Sequence, residues 1–240
     1  MYHKSRGIVL HTTKYSETSI IARIYTEKFG LLSFMVKGVR SAKSKSKASM
    51  MQPLSLLDLE FQYHENRGLL YIKEFNRART YLSLPFDTLK ITVAMFLLEV
   101  VTKSIQEHEA NDELFDFVYS ALYYLDETPQ LPPDFHLLFL VHFTRHLGFF
   151  PQTNFSTHTP YFELQEGVFT ANNEEGFHFL SKQESALLAE LMQTSFYDEK
   201  KLAVNRTERR QLMNSILKYY QFHLTHFNLH SPEILETILG

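Results

Sequence analysis

Five cations fall within the eleven residues from Lys37 to Lys47: Lys37, Arg40, Lys43, Lys45 and Lys47, with no acid among them. The chemistry open to such a set is electrostatic. Lys and Arg neutralise phosphates and release their counterions. The serines of the run can add phosphate hydrogen bonds. The alternative for a charge run of this kind is a solvated, mobile loop. Its spacers are Gly, Val, Ala and Ser, which offer nothing to a core. The surroundings decide between the two.

The first 80 residues carry further cations: Lys4, Arg6, Lys14, Arg23, Arg67, Lys73, Arg77 and Arg79. Tyr15, Tyr25, Phe34, Tyr63 and Tyr71 are interleaved with them. A charged groove lined by aromatic faces binds single strands, each stacked base contributing about 1–3 kcal/mol. Core packing is the competing role for every one of these rings. Phe34 lies with Leu32 and Val36 on one strand face and is assigned to the core. The candidate DNA contacts are the five cations of the run, with Arg6, Lys14 and Arg23 as a second set. Sequence-specific readout is not expected from a Lys/Ser loop that offers charge without fixed geometry.

Other chemistries have less behind them. His142 and His146 stand four apart on one helix, as zinc ligands can, so a His-dependent metallohydrolase is one alternative. But no Glu follows His142, and the segment FLVHFTRHLGFF is strongly apolar. His223, His226 and His230 suit a helix C-terminus, and His158 and His178 lie in or beside a small insert. No nucleophile or phosphate-loop motif occurs, and no cofactor or metal is expected. The helical half is rich in aromatic pairs, among them Tyr219-Tyr220. A groove there could take an acidic peptide terminus, with Arg209, Arg210, Lys218 and Tyr219 as its candidate contacts.

The elements that must position these residues follow from hydrophobic period. Residues 1–80 alternate with period two, over Gly7 to Lys14, Thr18 to Thr26, Leu31 to Lys37, Leu57 to Gln62 and Leu69 to Phe75. Five short antiparallel strands predict a small closed barrel of the OB type, with the basic run between the third strand and the fourth. From Pro85 the period turns helical. Asn111 caps one helix and Gly148 ends another. Tyr161–Leu164 and Val168–Thr170 make a hairpin about Glu166-Gly167. Ser181 and Asn205 open helices with capping boxes, and Ser231-Pro232 opens the last helix. The expected fold is α+β: residues 1–80 an OB-fold nucleic-acid-binding domain, 81–150 and 177–240 a helical domain, and 151–176 a hairpin insert.

Composition agrees. The chain has 240 residues, 44% of them hydrophobic, and no cysteine. It is therefore globular and free of disulfides. The segment MYHKSRGIVL has no apolar signal region, and the longest apolar run, Leu137 to Val141, is too short for a bilayer. A soluble, cytoplasmic protein is expected, with no membrane partner. Residues 1–80 hold 14 Lys+Arg against 6 Asp+Glu, a net of +8, while the remainder hold 10 against 21, a net of -11. Such asymmetry points to an anionic partner at one end.

These pieces together resemble the RecO family of bacterial recombination mediators. The resemblance rests on Gly7-Ile8-Val9-Leu10, Tyr15-x-Glu17, Thr26-x-x-x-Gly30 and Lys37-Gly38-x-Arg40. It continues through Gln52-Pro53-Leu54, Leu98-Glu99, Leu114-Phe115, Leu147-Gly148-Phe149-Phe150-Pro151 and Glu166-Gly167. It ends in Tyr219-Tyr220-x-x-His223-Leu224 and Ser231-x-x-x-Leu235. It implies an N-terminal OB domain and a helical domain with a small zinc-binding insert. It implies binding of single- and double-stranded DNA, annealing of complementary strands and no bond-making activity. The implied partners are RecR and the C-terminal tail of the single-strand-binding protein SSB, in the RecF repair pathway, where recombinase is loaded on SSB-coated DNA. Many relatives carry four cysteines after the Gly-Phe-x-Pro segment. This chain has none, so its insert must be held by packing of Tyr161, Phe162, Val168 and Phe169. Within the basic run, Lys37 and Arg40 are expected at the strand end, and Lys43, Lys45 and Lys47 in a mobile part.

Overall fold

The computed structural model describes residues 1–39, 45–64, 67–105, 110–173, 178–198, 202 and 204–232. Five strands form at the N-terminus: β1 (Tyr2–Lys14), β2 (Ile20–Thr26), β3 (Gly30–Val36), β4 (Leu56–Gln62) and β5 (Leu70–Arg77). They close into a barrel in the order β1-β2-β3-β5-β4, the OB arrangement. Alternation is the reason. Ile20, Ala22 and Ile24 point inward, as do Leu32, Phe34 and Val36, and meet Leu57, Leu59 and Phe61 in one core. Two features depart from the sequence expectation. β1 runs for 13 residues, pairing with β4 through Tyr2–Ile8 and with β2 through Gly7–Lys14. And β3 pairs with β5 in parallel, Phe34 against Leu70 and Met35 against Tyr71, so the strands are not all antiparallel. That parallel pair closes the barrel.

The basic run also differs from expectation. A short helix, α1 (Lys45–Met50), occupies its second half, so Lys45 and Lys47 are helical rather than part of a mobile loop. Nor is the run devoid of core residues: Val39 is 2% exposed and belongs to the barrel core, against which Ala48 and Met50 also pack. Arg40 and Lys43 lie outside the described residues.

The chain divides into two compact units, Met1–Asp87 with Ile105–Glu127, and Thr88–Ser104 with Thr128–Gly240. The first unit adds α3 (Asp112–Glu127) to the barrel. Asn111 caps α3, its Oδ1 accepting from the Leu114 N–H at 2.9 Å. The expected stripe of Phe115, Val118, Leu122 and Leu125 is buried, with Phe115 against Tyr25 of β2.

The second unit holds α2 (Thr88–Ser104), α4 (Phe135–His146), α5 (Lys182–Gln193), α6 (Arg206–His223) and a hairpin, β6 (Tyr161–Glu163) with β7 (Val168–Thr170). α4 is buried along nearly its whole length, as a helix apolar on every side must be. Both capping boxes form, at Ser181 and at Asn205. Gly148 and Gly167 take the left-handed backbone expected of them, φ 84° and 69°. The last helix expected from Ser231 lies outside the described residues beyond Pro232.

Candidate nucleic-acid interface

The barrel has two unlike outer faces. Across β1, β4 and β5 the register aligns Lys4 with Glu60 and Glu74, and Arg6 with Asp58 and Asn76. These residues line a groove of ≈ 450 Å³. Carboxylates outnumber free cations there. Arg6 donates to Glu27 at 2.8 and 3.1 Å and to Asp116 of α3 at 2.7 Å. Glu27, hydrogen-bonded by that guanidinium, is held below the ordinary carboxylate range. Lys73 donates to Glu60 at 2.5 Å. Arg79 pairs with Glu127 of α3 and lies over the Tyr123 ring. Arg6, Lys73 and Arg79 are thus already neutralised from within.

Across β1, β2, β3 and β5 the other face is different. Arg23 stands opposite Ser33, and Ile21 opposite Met35, which stands opposite Tyr71. Tyr71 is 49% exposed. The Lys37 ammonium sits 5.2 Å from the centre of its ring. Arg23, Lys14 and Lys37 are exposed, and among the described residues no carboxylate lies within ion-pair distance of them. Beyond Arg23 the face is closed by α3. Tyr25 there is 1% exposed, and burial, then the charge of Asp112, raises its hydroxyl above the ordinary pKa. The open part of this face is therefore a patch of free cations and one exposed ring, bounded by acid. Exposed Lys47 lies on α1, next to Ser49, whose hydroxyl accepts from Arg77 at 3.3 Å.

Of the five interleaved aromatics, Phe34 and Tyr25 are buried. Tyr63 packs on Phe29. Tyr15 and Tyr71 stay exposed. Phe34 was legible from its strand face. Tyr25 was not, because the Phe115 that buries it lies 90 residues away in sequence.

With this geometry in place, similarity to known proteins decides the family. Residues 1–81 match the family described as Recombination protein O N terminal, and residues 85–233 match Recombination protein O C terminal. The chain belongs to the RecO family. It is 34% identical over 241 residues to the DNA repair protein RecO of Bacteroides fragilis, covering 99% of both chains. It is 36% identical over 243 residues to that of Flavobacterium johnsoniae, covering 99% of this chain and 98% of the relative. It is 33% identical to that of Phocaeicola vulgatus over the full length of both. RecO relatives are thus named as DNA repair and recombination proteins along the whole chain.

The zinc that the RecO resemblance implies does not fit this insert. The chain has no cysteine, and among the described residues no three His, Asp or Glu are grouped to share an ion. The interior is aromatic instead: Phe162 lies 4.9 Å from Phe169, which meets Phe155 at 5.2 Å. The Ser185 hydroxyl accepts from the Phe162 N–H at 2.8 Å, and Leu180 donates to the Phe162 carbonyl at 2.9 Å. His178 packs edge-on against Phe222. His142 Nε2 is 2.6 Å from the Thr194 carbonyl.

The four residues picked for a peptide partner separate. Arg209 is bound to Asp134 at 2.7 Å. Tyr219 is buried and donates to the Phe149 carbonyl at 2.5 Å. Arg210 and Lys218 remain exposed on α6. Among the described residues no helix is long and apolar enough to cross a membrane.

Proposed function

We propose that this protein binds single- and double-stranded DNA on the open β2–β3–β5 face and anneals complementary strands there. The observation that carries the reading is the placement of Arg23 and Lys37, exposed and without an ion pair among the described residues, on either side of the row Ile21, Met35 and exposed Tyr71. A base can stack on the Tyr71 ring, displacing the Lys37 ammonium onto a phosphate. Annealing follows from the same physics. Neutralised phosphates let two strands approach, and weak base preference leaves the bases to choose each other. Lys14 and Lys47 are further exposed cations of the same unit.

Replacing Arg23, Lys37 and Lys47 together by Ala should flatten the salt dependence of single-strand binding. At roughly 0.7 units of slope per lost phosphate contact, the loss is about two units. An unchanged slope would remove these residues from the interface.

Membership of the RecO family over the full chain supports the wider role. In it the protein helps load recombinase on SSB-coated DNA in the RecF pathway, with RecR as partner, in the cytoplasm and associated with the nucleoid. The same membership supports a part in DNA repair without bond-making chemistry. For the acidic SSB tail, Arg210 and Lys218 are the exposed cations of the candidate set. A labelled tail peptide should lose affinity when both become Ala, and full retention would place the tail elsewhere.

A further inference from the structure

The register of the open face sorts its outward side chains into bands. Arg23, with His11 of β1 opposite it, forms one edge. Ile21, Met35 and Tyr71, on β2, β3 and β5, form an uncharged middle, in which Met35 is packed down to 9% exposure, Ile21 is half-buried and Tyr71 stands exposed. Lys37, two residues past Met35, forms the other edge.

A single strand has one phosphate backbone and needs cations on one side of its bases. Here cations flank the uncharged band on both sides. Ser33, the partner of Arg23, is four residues from Lys37. At 3.3 Å per residue that is about 13 Å, close to the roughly 12 Å width of a major groove. Including Thr13 of β1, the band crosses four neighbouring strands. Three steps of 4.8 Å make it about 14 Å long, near four bases at 3.4 Å each.

We propose that this face seats two DNA strands at once, one backbone on the Arg23 edge and the other on the Lys37 edge, with their bases meeting over Ile21, Met35 and Tyr71. The proposal rests on the DNA-binding reading above and gives annealing its geometry. Each edge neutralises one backbone. The uncharged band offers no hydrogen-bonding charge to compete for the base edges. Its length suits a nucleus of about four pairs, from which a duplex can zip beyond the protein. The acid at the start of α3, Asp112 near Tyr25, keeps the first backbone from sliding further.

The test is native mass spectrometry of the full chain with two oligothymidines of different mass, which cannot pair with each other. One protein should hold two oligomers. Arg23→Ala or Lys37→Ala alone should hold one, its affinity kept within roughly fivefold. Annealing of complementary oligonucleotides should slow roughly tenfold in each variant. A wild-type complex that saturates at one oligomer overturns the two-strand seat and leaves the DNA-binding reading standing. Two oligomers retained by both variants overturn the assignment of the edges. Failure to bind any oligomer overturns the DNA-binding reading itself, and the seat with it.

Discussion

Two charged residues, Arg6 and Asp126, are held by partners within the fold and serve its architecture. Arg6 belongs to the cationic set by sequence, yet Glu27, then Asp116, raises its pKa and claims its donors. Arg6→Ala should therefore lower stability but leave the salt slope of DNA binding unchanged; a slope reduced by a full contact would show that Arg6 reaches phosphate. Asp126 is buried, and its carboxylate accepts from the N–H groups of Leu82, Ser83 and Leu84 at 2.9–3.0 Å. Burial works to raise its pKa, but those backbone donors and Arg79 prevail and hold it below the ordinary 3.8. The stability it contributes is present above the unfolded pKa and is lost as pH falls through the lower native one. Asp126→Ala should cost about 2 kcal/mol in urea unfolding at neutral pH, by leaving buried donors unpaired. The loss should shrink toward pH 3, and a constant difference across that range would contradict the ionised state. Neither role was legible in the sequence, since each depends on partners more than 20 residues away.

At the level of elements, period-two alternation made all five strands legible because each turns alternate apolar residues toward the barrel core. The parallel closure was not, as only Phe34–Leu70 and Met35–Tyr71 make it. The helix α1 escaped because six Lys-, Ser- and Ala-rich residues carry no apolar stripe. The grouping of α3 with the barrel escaped for a different reason: its apolar stripe fits any apolar surface, and Phe115 against Tyr25 decides which. Phe115 is 0% exposed. Phe115→Ala should destabilise the barrel unit by about 3 kcal/mol and bring the Tyr25 hydroxyl back toward its ordinary pKa. Urea unfolding and ultraviolet titration of tyrosine check both. An effect under about 1 kcal/mol would mean that α3 does not brace the barrel.

Across the whole molecule, the +8 of residues 1–80 overstates the positive field. The barrel unit, taken as 1–87 with 105–127, holds 14 Lys+Arg and also 14 Asp+Glu. With no net charge to attract DNA, the distribution has to do so. The β1–β4–β5 face sets its cations among a larger number of carboxylates, and the β2–β3–β5 face leaves Arg23 and Lys37 without an ion pair among the described residues. The excess of cations in residues 1–80 was legible, but the way they divide between the faces was not, because ion pairs such as Arg6–Asp116 span 110 residues. The most direct measurement is photocrosslinking of the full chain to bromouracil-substituted single strands, with the modified peptides mapped. Adducts are expected at Tyr71 and in peptides from β2 and β3 through Lys37, with loss of the β3 adduct in Lys37→Ala. Adducts confined to the groove of Asp58, Glu60 and Glu74, or to the unit of α4, α5 and α6, would contradict DNA binding on the β2–β3–β5 face.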